Sequence, residues 1–345
     1  MNAYLVAAKR TAIGKAHPDK GLFREVRADA MLAALMNGLL DGLAAGEALS
    51  EAIDDIYIGC VGQHLEQGKN IARLAGLLAG LPATVPGVTI NRLCASSLQA
   101  FNFAAAIIDN GNADLLLAGG VEHMGHVPMA AALDYNPQLL ERYEFPFTNM
   151  GLTAEKVAEL YGVSRARQNE FAVESHRRAV AAGQTGHFAR EIVPIPAGAL
   201  LAGQDQSPRP GTCLADLAGL KPIFKADGTV TAGNSSPLSD GASLTLLASP
   251  VACERFDLQP LARVIDFTVV GLDPCLIGMG PVPAIRKLLQ NNRITVANID
   301  PFELNEAFAS QAVACIDELK LSEEKVNPWG ARSPLAIPSA VPAHA

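Results

Sequence analysis

Charged residues are scarce in this chain: Asp, Glu, Lys and Arg make up 18% of the 345 residues, against 49% hydrophobic residues. That balance predicts a sizeable buried core, within one large domain or two to three smaller ones. The net charge is −8 and no long Lys/Arg run exists, which argues against a nucleic-acid partner. No apolar stretch approaches the ~20 residues of a membrane span, and no secretory signal pattern is found. We therefore expect a cytoplasmic protein.

Closely paired cysteines are also missing. None of the six cysteines stands at CxxC spacing, which argues against a zinc site, and a cytosolic chain is not expected to depend on disulfides. A GxSxG nucleophile elbow is absent too, which disfavours a serine hydrolase. Each cysteine is by default a small buried hydrophobe, so a chemical role must be argued from its surroundings.

What the sequence does contain is an alternation of short apolar runs with helical patterns, which predicts an α/β domain with a largely parallel sheet. Gly111 ends one of the predicted helices in the C′ position that glycine favours. The predicted strands are residues 4–8, 55–60, 88–90 and 115–118, and the predicted helices are residues 28–43, 71–78 and 97–109.

The middle of the chain differs in composition: it is rich in proline and has few segments with helical or strand periodicity. A loop stretch this long inside a compact protein is usually functional. We predict a loop domain carrying two helices, at 153–161 and 167–182. A second α/β section should follow, with strands at 243–248 and 262–270 and helices at 283–289 and 305–319. The predicted divisions are residues 1–121, the inserted domain 122–220, the return 221–255, the second section 256–330 and the tail 331–345.

Cys94 is the cysteine whose surroundings favour chemistry. It follows a predicted strand and a turn, and a helix begins two or three residues later. A helix N-terminus favours a thiolate and is expected to lower the thiol pKa. Its free N–H groups could also stabilise an oxyanion on an acyl carbon.

The residues around Cys94 resemble the nucleophile motif of the thiolase family, and four other segments resemble motifs of that family in the same order. The resemblance covers about residues 1–330. The five matching segments are residues 8–14 (AKRTAIG), 91–99 (NRLCASSLQ), 118–124 (AGGVEHM), 231–242 (TAGNSSPLSDGA) and 305–309 (NEAFA). Residues 65–73 (LEQGKNIAR) and 119–129 (GGVEHMGHVPM) resemble one branch, the 3-ketoacyl-CoA thiolase subunit of bacterial fatty-acid oxidation complexes.

The resemblance implies a fold and a reaction. The fold would be two similar α/β halves with layered mixed sheets (αβαβα), a loop domain inserted in the first half, and the second half incomplete here. The Cys94 thiolate would attack the keto carbon of a 3-ketoacyl-CoA, releasing acetyl-CoA and leaving an acyl-cysteine that a second coenzyme A removes. Coenzyme A would be a substrate, with no cofactor or metal implied.

The resemblance also assigns roles to single residues. Asn305 matches the asparagine that holds an oxyanion-hole water, and Ser236 matches the serine that contacts the pantetheine arm of coenzyme A. The family's Gly-His-Pro histidine and Cys-x-Gly-Gly-Gly cysteine have no counterpart. Cys315 lacks the following glycines, and His344 lacks the Gly-His-Pro turn.

Simpler explanations exist for several of these residues. If the resemblance to the family is set aside, Asn305 would be interpreted as a helix N-cap and Ser236 as a turn residue. His123 and His126 stand three residues apart, but no further ligand has matching spacing, so we expect them to serve loop packing or the coenzyme A entrance.

The tail, ARSPLAIPSAVPAHA, departs from the family where Gly-Ala-Ile-Ala-Leu-Gly-His-Pro is expected. A DNA segment encoding GAIALGHPVGCTGAR gives this tail at every position when it is read from its second nucleotide. We therefore expect a one-nucleotide frameshift after Gly330, either a mutation or a sequencing error. Loss of central strands and of the catalytic histidine would make this chain poorly soluble and inactive.

Two rival functions remain open. One is a biosynthetic acetyl-CoA C-acetyltransferase, which shares the chemistry and differs in direction and chain-length preference. The other is a non-catalytic thiolase-like subunit that binds acyl-CoA or a partner. The expected partners are 3-ketoacyl-CoA and coenzyme A, a second or further copies of the chain (dimer or tetramer), and a multifunctional fatty-acid oxidation subunit.

Overall fold

The computed structural model describes residues 1–129, 131, 133–143 and 149–330, and the predicted tail 331–345 lies outside these ranges. Strands and helices alternate along the first 123 residues, as the apolar pattern predicted. The strands are β1 (Tyr4–Arg10), β2 (Gly14–Lys15), β3 (Asp55–Gly59), β4 (Val88–Ile90), β5 (Leu115–His123), β6 (Ile195–Ala197), β7 (Leu200–Ala202), β8 (Ser239–Ala248) and β9 (Ala262–Arg263).

The helices occur in both halves and in the middle segment. None of those described is long and apolar enough to cross a membrane. They are α1 (Ala28–Leu40), α2 (Gly46–Ala52), α3 (Ile71–Leu78), α4 (Ser96–Asp109), α5 (Pro137–Arg142), α6 (Met150–Leu160), α7 (Arg165–Gln184), α8 (Leu214–Ala218), α9 (Pro250–Arg255), α10 (Pro281–Asn292) and α11 (Ala309–Leu319).

One mixed sheet organises the first half. Its strand order is β4-β3-β5-β8-β1-β9, with β2 pairing to β8. The β3 strand is parallel to both β4 and β5, whereas β8 is antiparallel to both β5 and β1. The predicted parallel sheet is thus correct for one side, and the later strand β8 makes the sheet mixed.

The central strands β5 and β8 are buried along their whole length. On β5 the side chains alternate between two cores, as the period of a strand requires. Leu117 contacts the core beneath helices α1 and α3, whereas Leu116 and Ala118 belong to the core that contains Ala104 and Ile108 of α4. The sheet is therefore sandwiched between helices, which is why β5 begins as an unbroken apolar run.

A separate core forms around α11. Its Ala312, Val313, Cys315 and Ile316 are buried against residues of α6, α7 and α10. Helices thus cover more than one side of α11. This second core carries the segment that contains Asn305.

Several predicted element boundaries were wrong, and three of them have a visible reason. The helix expected at 28–43 ends at Leu40, and a new helix begins at Gly46, whose missing Cβ allows contact with the Leu40 carbonyl oxygen. The strand expected at 262–270 is only β9, because pairing reaches only Tyr4 and Leu5 of β1.

The helix expected from Asn305 begins at Ala309 instead. Phe308 is extended because its backbone bridges to Ser235, and this pairing competes with helix formation. Asn305 is therefore an exposed residue of the preceding irregular segment, and the N-cap alternative for it was wrong.

The proposed division at residue 122 falls near the end of β5, and β8 rejoins the sheet at Ser239. The segment between them contains α5 to α8 and the small β6–β7 hairpin. All the predicted divisions and the incompleteness of the second half stay predictions.

Arg10 at the end of β1 ties the middle segment to the sheet. Its Nε lies 2.7 Å from Glu191 Oε1 and its Nη1 lies 2.7 Å from Asp205 Oδ1, with the arginine side chain only 2% exposed. Burial raises the pKa of Glu191 to about 7, although the charge of Arg10 acts in the opposite direction. Two carboxylates thus depend on one buried guanidinium.

We expect Arg10→Met to lower the free energy of unfolding by about 3–5 kcal/mol, because it leaves Glu191 and Asp205 buried without their cation. The raised pKa of Glu191 means that its contribution to stability is present at low pH and is lost as the pH rises through about 7. The loss in Arg10→Met should therefore be larger at pH 8.5 than at pH 6. Urea unfolding at both pH values measures it.

A matched control is Arg286→Met, which removes an exposed pair with Glu318. That change should cost less than about 1 kcal/mol at either pH. Equal costs for the two variants would contradict the importance of the Arg10 network.

Candidate active site around Cys94

Cys94 occupies a tight turn between β4 and α4. The preceding residue, Leu93, has a left-handed backbone with φ of 49°, which is uncommon for a branched side chain. The Ser96 hydroxyl donates to Leu93 O (2.6 Å) and accepts from Arg92 N (2.8 Å), while Asn91 Oδ1 accepts from Leu93 N (2.9 Å). These local bonds hold the turn, so the position of the Cys94 thiol is fixed by its neighbours.

Two glycines let the N-terminus of α4 approach the sheet closely. A Cβ on Gly59 would lie 2.3 Å from both Ser96 C and Ser97 N, and a Cβ on Gly120 would lie 2.6 Å from Ser97 Cβ. Only glycine leaves space for this approach. The sequence analysis did not identify these glycines as part of the site, although Gly120 lies inside one of its family segments.

Burial raises the pKa of the Cys94 thiol; a backbone hydrogen bond opposes the shift, and the carboxylate of Glu122 adds to it. The expected lowering by the helix N-terminus was wrong. Cys94 precedes the N-cap Ala95, and the charged side chain that acts on it is negative. Nucleophilic attack by this thiol therefore needs a base to take its proton or a cation to stabilise the thiolate.

The rate of Cys94 alkylation by iodoacetamide should therefore keep rising with pH beyond the ordinary thiol pKa of about 8.5. Thiolate forms only as the pH approaches the raised pKa, so the reaction at pH 7 should be slower than that of N-acetylcysteine. Peptide mapping of alkylation at Cys94 between pH 6 and 10 measures this. A plateau below about pH 8.5 would contradict the raised pKa.

Glu122 lies on the same side of the sheet as the Cys94 turn. Its buried carboxylate accepts from Val61 N (2.8 Å), Gly62 N (3.2 Å) and Gln67 Nε2 (2.7 Å). Burial raises the pKa of Glu122 despite these donors. The side chain thus orders the loop after β3, next to the nucleophile.

His123 and His126 stack on each other with ring centroids 3.9 Å apart. His123 Nδ1 accepts from His126 N (3.1 Å), and their Nε2 atoms lie 3.1 Å from Phe23 O and 2.8 Å from Arg24 O. The described ranges contain no group of His, Cys, Asp or Glu side chains suited to a metal. The histidines fasten the loop after β5 to the segment before α1, in line with the expected packing role.

The structure brings Ser236 and the segment containing Asn305 together. Ser236 N donates to Ala307 O (3.1 Å), and Ala309 N donates to Asn234 O (2.9 Å). Two of the three predicted site residues are thus held in one neighbourhood by main-chain bonds. No hydrogen bond among the described residues joins Cys94 directly to either of them.

Ser236 also lines a cavity of about 370 Å³ between the middle segment and the second half. Polar, basic and apolar side chains of the inserted segment surround it, and Glu306 and Ala309 close one side. Cys94 is not among the lining residues. The sequence analysis did not find the lining residues Ser175, His176, Ser207 and Arg209; the one available signal was the isolated arginine between Pro208 and Pro210.

Cys315 is unsuited to a second catalytic role, as predicted. It is fully buried in α11, its Sγ donates to Gly278 O (3.4 Å), and burial raises its pKa to about 11. His344 lies outside the described residues.

Comparison with protein-family models identifies the family to which the chain belongs. The model of the thiolase N-terminal domain matches residues 3–250, and that of the thiolase C-terminal domain matches residues 258–338. The chain belongs to the thiolase family. Members are acyltransferases, and the predicted fold class and enzyme class are confirmed.

Curated thiolases are similar over nearly the whole chain. The 3-ketoacyl-CoA thiolase of Cronobacter sakazakii is 48% identical over 343 residues, covering 97% of this chain and 88% of that protein. The 3-ketoacyl-CoA thiolase of Aeromonas salmonicida is 46% identical over the same shares of both chains.

Two solved structures are similar to this chain over nearly its whole length. The dimeric peroxisomal thiolase of Saccharomyces cerevisiae superposes with a TM-score of 0.89 at 35% identity, covering 99% of this chain and 88% of that one. The Bacillus anthracis acetyl-CoA acetyltransferase gives 0.84 at 35% identity, covering 98% and 89%.

The expected end of the thiolase resemblance at Gly330 is not supported. The match to the C-terminal domain model continues to residue 338, eight positions into the tail. The frameshift hypothesis and the predicted inactivity therefore gain no support from the family comparison.

Proposed function

We propose that this thiolase performs thiolytic cleavage of 3-ketoacyl-CoA, releasing acetyl-CoA, as in fatty-acid β-oxidation. The observation that carries the proposal is Cys94 itself, held on the left-handed turn at the start of α4. The names of the relatives support the substrate class.

In the first step the Cys94 sulfur attacks the 3-keto carbon. The bond between C2 and C3 breaks, and the electron pair at C2 takes a proton, which releases acetyl-CoA. In the second step the sulfur of coenzyme A attacks the acyl-Cys94 thioester, so that acyl-CoA forms and Cys94 returns as a thiol. Each step develops negative charge on a carbonyl oxygen, which needs donors in place beforehand.

The proposed roles of the other residues fit their positions. Asn305 has an exposed carboxamide that can hold the oxyanion water, and Ser236 lines the cavity that would take the pantetheine arm. Coenzyme A binds as a substrate, and no prosthetic group enters the proposal. Attack by Cys94 needs a further group as base, because burial raises the pKa of its thiol.

The test is to incubate the purified chain with acetyl-CoA and map the acyl group by mass spectrometry. One acetyl group on Cys94 is expected, formed slowly at pH 7 and faster at pH 9. Acetyl groups on the exposed Cys213, or none at all, would refute the proposal.

A non-catalytic acyl-CoA-binding subunit is the second candidate, favoured by the raised pKa that burial gives the Cys94 thiol. The 345 residues contain neither the Gly-His-Pro nor the Cys-x-Gly-Gly-Gly motif. Binding of acyl-CoA without thiolysis would select this candidate. A biosynthetic C-acetyltransferase would instead act on acetyl-CoA and acetoacetyl-CoA and not on longer chains.

We also propose a cytoplasmic homodimer, which a fatty-acid oxidation subunit could join. The edge strand β4 has Val88 exposed, and Leu93, Leu98 and Phe103 are each more than 40% exposed nearby. An unpaired strand edge beside apolar side chains is a pairing surface. Light scattering should give a dimer mass, and Leu98→Arg should shift it towards the monomer.

A further inference from the structure

Asn327 lies directly behind the segment that carries Asn305. Its side chain is buried, and its backbone is left-handed with φ of 45°. Its Oδ1 accepts from Leu304 N (2.8 Å), and its Nδ2 donates to Leu304 O (2.8 Å). One carboxamide therefore satisfies both main-chain groups of the residue before Asn305.

The same Nδ2 also reaches the residue after Asn305. It donates to Glu306 Oε1 (2.7 Å), while Ser175 Oγ of α7 donates to Glu306 Oε2 (2.6 Å). Asn327 thus contacts both sequence neighbours of Asn305.

Asn327 is itself anchored firmly. Its N–H donates to Phe302 O (2.9 Å), and Arg178 of α7 donates to Val326 O (2.7 Å). Trp329 stacks on His187 with ring centroids 4.5 Å apart. These contacts connect the Asn305 segment, through Asn327 and its neighbours, to helix α7 of the inserted segment.

The other end of the segment is held by the bonds from Ser236 N and Ala309 N already described. Asn305 itself is exposed between these two attachments, which hold the main chain on both sides of it. An oxyanion donor is effective only when it is oriented before the reaction.

We propose that Asn327 is a positioning residue for the Asn305 carboxamide. The inference rests on the proposed function, in which Asn305 serves the substrate carbonyl oxygen. Asparagine suits the position because it has a donor and an acceptor on one short side chain. Aspartate would lose both donated bonds and would face the carboxylate of Glu306.

The test compares two unreactive ligands: a ketone analogue of acetyl-CoA in which CH₂ replaces the thioester sulfur, and the same analogue with the carbonyl reduced to CH₂. The Kd of the reduced analogue divided by the Kd of the ketone analogue reports the strength of the hydrogen bond to the carbonyl oxygen. Calorimetry on the full chain should show this ratio reduced roughly fivefold in Asn327→Asp, as for one lost hydrogen bond. Asn305→Ala should show the same loss.

Glu306→Gln added to Asn327→Asp provides the rescue. The glutamine amide can donate to the introduced aspartate carboxylate and its oxygen can still accept from Ser175, so the ratio should recover towards the original value. Asn292→Asp in α10 is the matched control, because it likewise removes a bond donated to a main-chain carbonyl (Leu288 O) and one donated to a carboxylate (Asp266), and it should leave the ratio unchanged.

Circular dichroism would confirm that each variant is folded. If Asn305→Ala loses the ratio and Asn327→Asp keeps it, the positioning role is overturned while the proposed function stands. If Asn305→Ala also keeps it, the proposed use of Asn305 fails, and the role of Asn327 fails with it.

Discussion

Cys94→Ala should lower acylation of the chain by acetyl-CoA at least about 10³-fold, since it removes the atom that forms the thioester. Two of the other thiols, those of Cys60 and Cys315, cannot substitute for it. Cys60 and Cys315 are fully buried, and burial raises the pKa of each thiol. Single-turnover labelling followed by intact-mass measurement gives the fraction acylated at each time.

Cys213→Ala is the matched control for this experiment. Cys213 is exposed, lies on the inserted segment and donates from its Sγ to Asp216 Oδ2 (3.1 Å). Removing it should leave the acylation rate unchanged. If Cys94→Ala kept its labelling while Cys213→Ala lost it, the reaction would be nonspecific modification of an exposed thiol.

Gly59→Ala should destabilise the fold by at least about 4 kcal/mol and abolish the chemistry together. The new Cβ would meet main-chain atoms of Ser96 and Ser97 at 2.3 Å, and main-chain atoms cannot move aside by a change of rotamer. Relief requires the N-terminus of α4 to leave the sheet, which would displace the Cys94 turn. Chemical unfolding and acyl labelling on the same sample would measure both effects.

Gly183→Ala is the corresponding control. Gly183 lies in the last turn of α7, and an added Cβ would meet nothing within 4 Å. Alanine should stabilise the helix there by about 0.5–1 kcal/mol. A similar loss of stability in both variants would mean that the contact between α4 and the sheet is not the cause.

Sequence patterns were sufficient to predict elements whose bounds depend on residues nearby in the chain. Helix α3 and strand β4 have the predicted bounds, and Gly111 has the left-handed backbone expected after α4. Apolar periodicity and glycine placement determine such elements within a few residues. The family segments also point to Cys94, Ser236 and Asn305, whose roles stay predictions.

Features set by distant partners could not be predicted. The late start of α11 depends on pairing of Phe308 with Ser235, more than 70 residues earlier. The raised pKa of Cys94 depends on burial and on Glu122 of another strand, whereas the sequence revealed only the nearby helix. Asn327 reaches Leu304 across a stretch that includes α11, and no periodic pattern marks such a contact.

The position of β8 in the sheet has a consequence for synthesis of the chain. It pairs with β1 and β5, joining Tyr4 to Ala248 and Leu115 to Ala248. At ribosomal rates of about 5–20 residues per second, the segment between β5 and β8 takes on the order of ten seconds to emerge. During that time β1 and β5 have open edges in a partly built sheet, where pairing with another nascent chain competes with the arrival of β8.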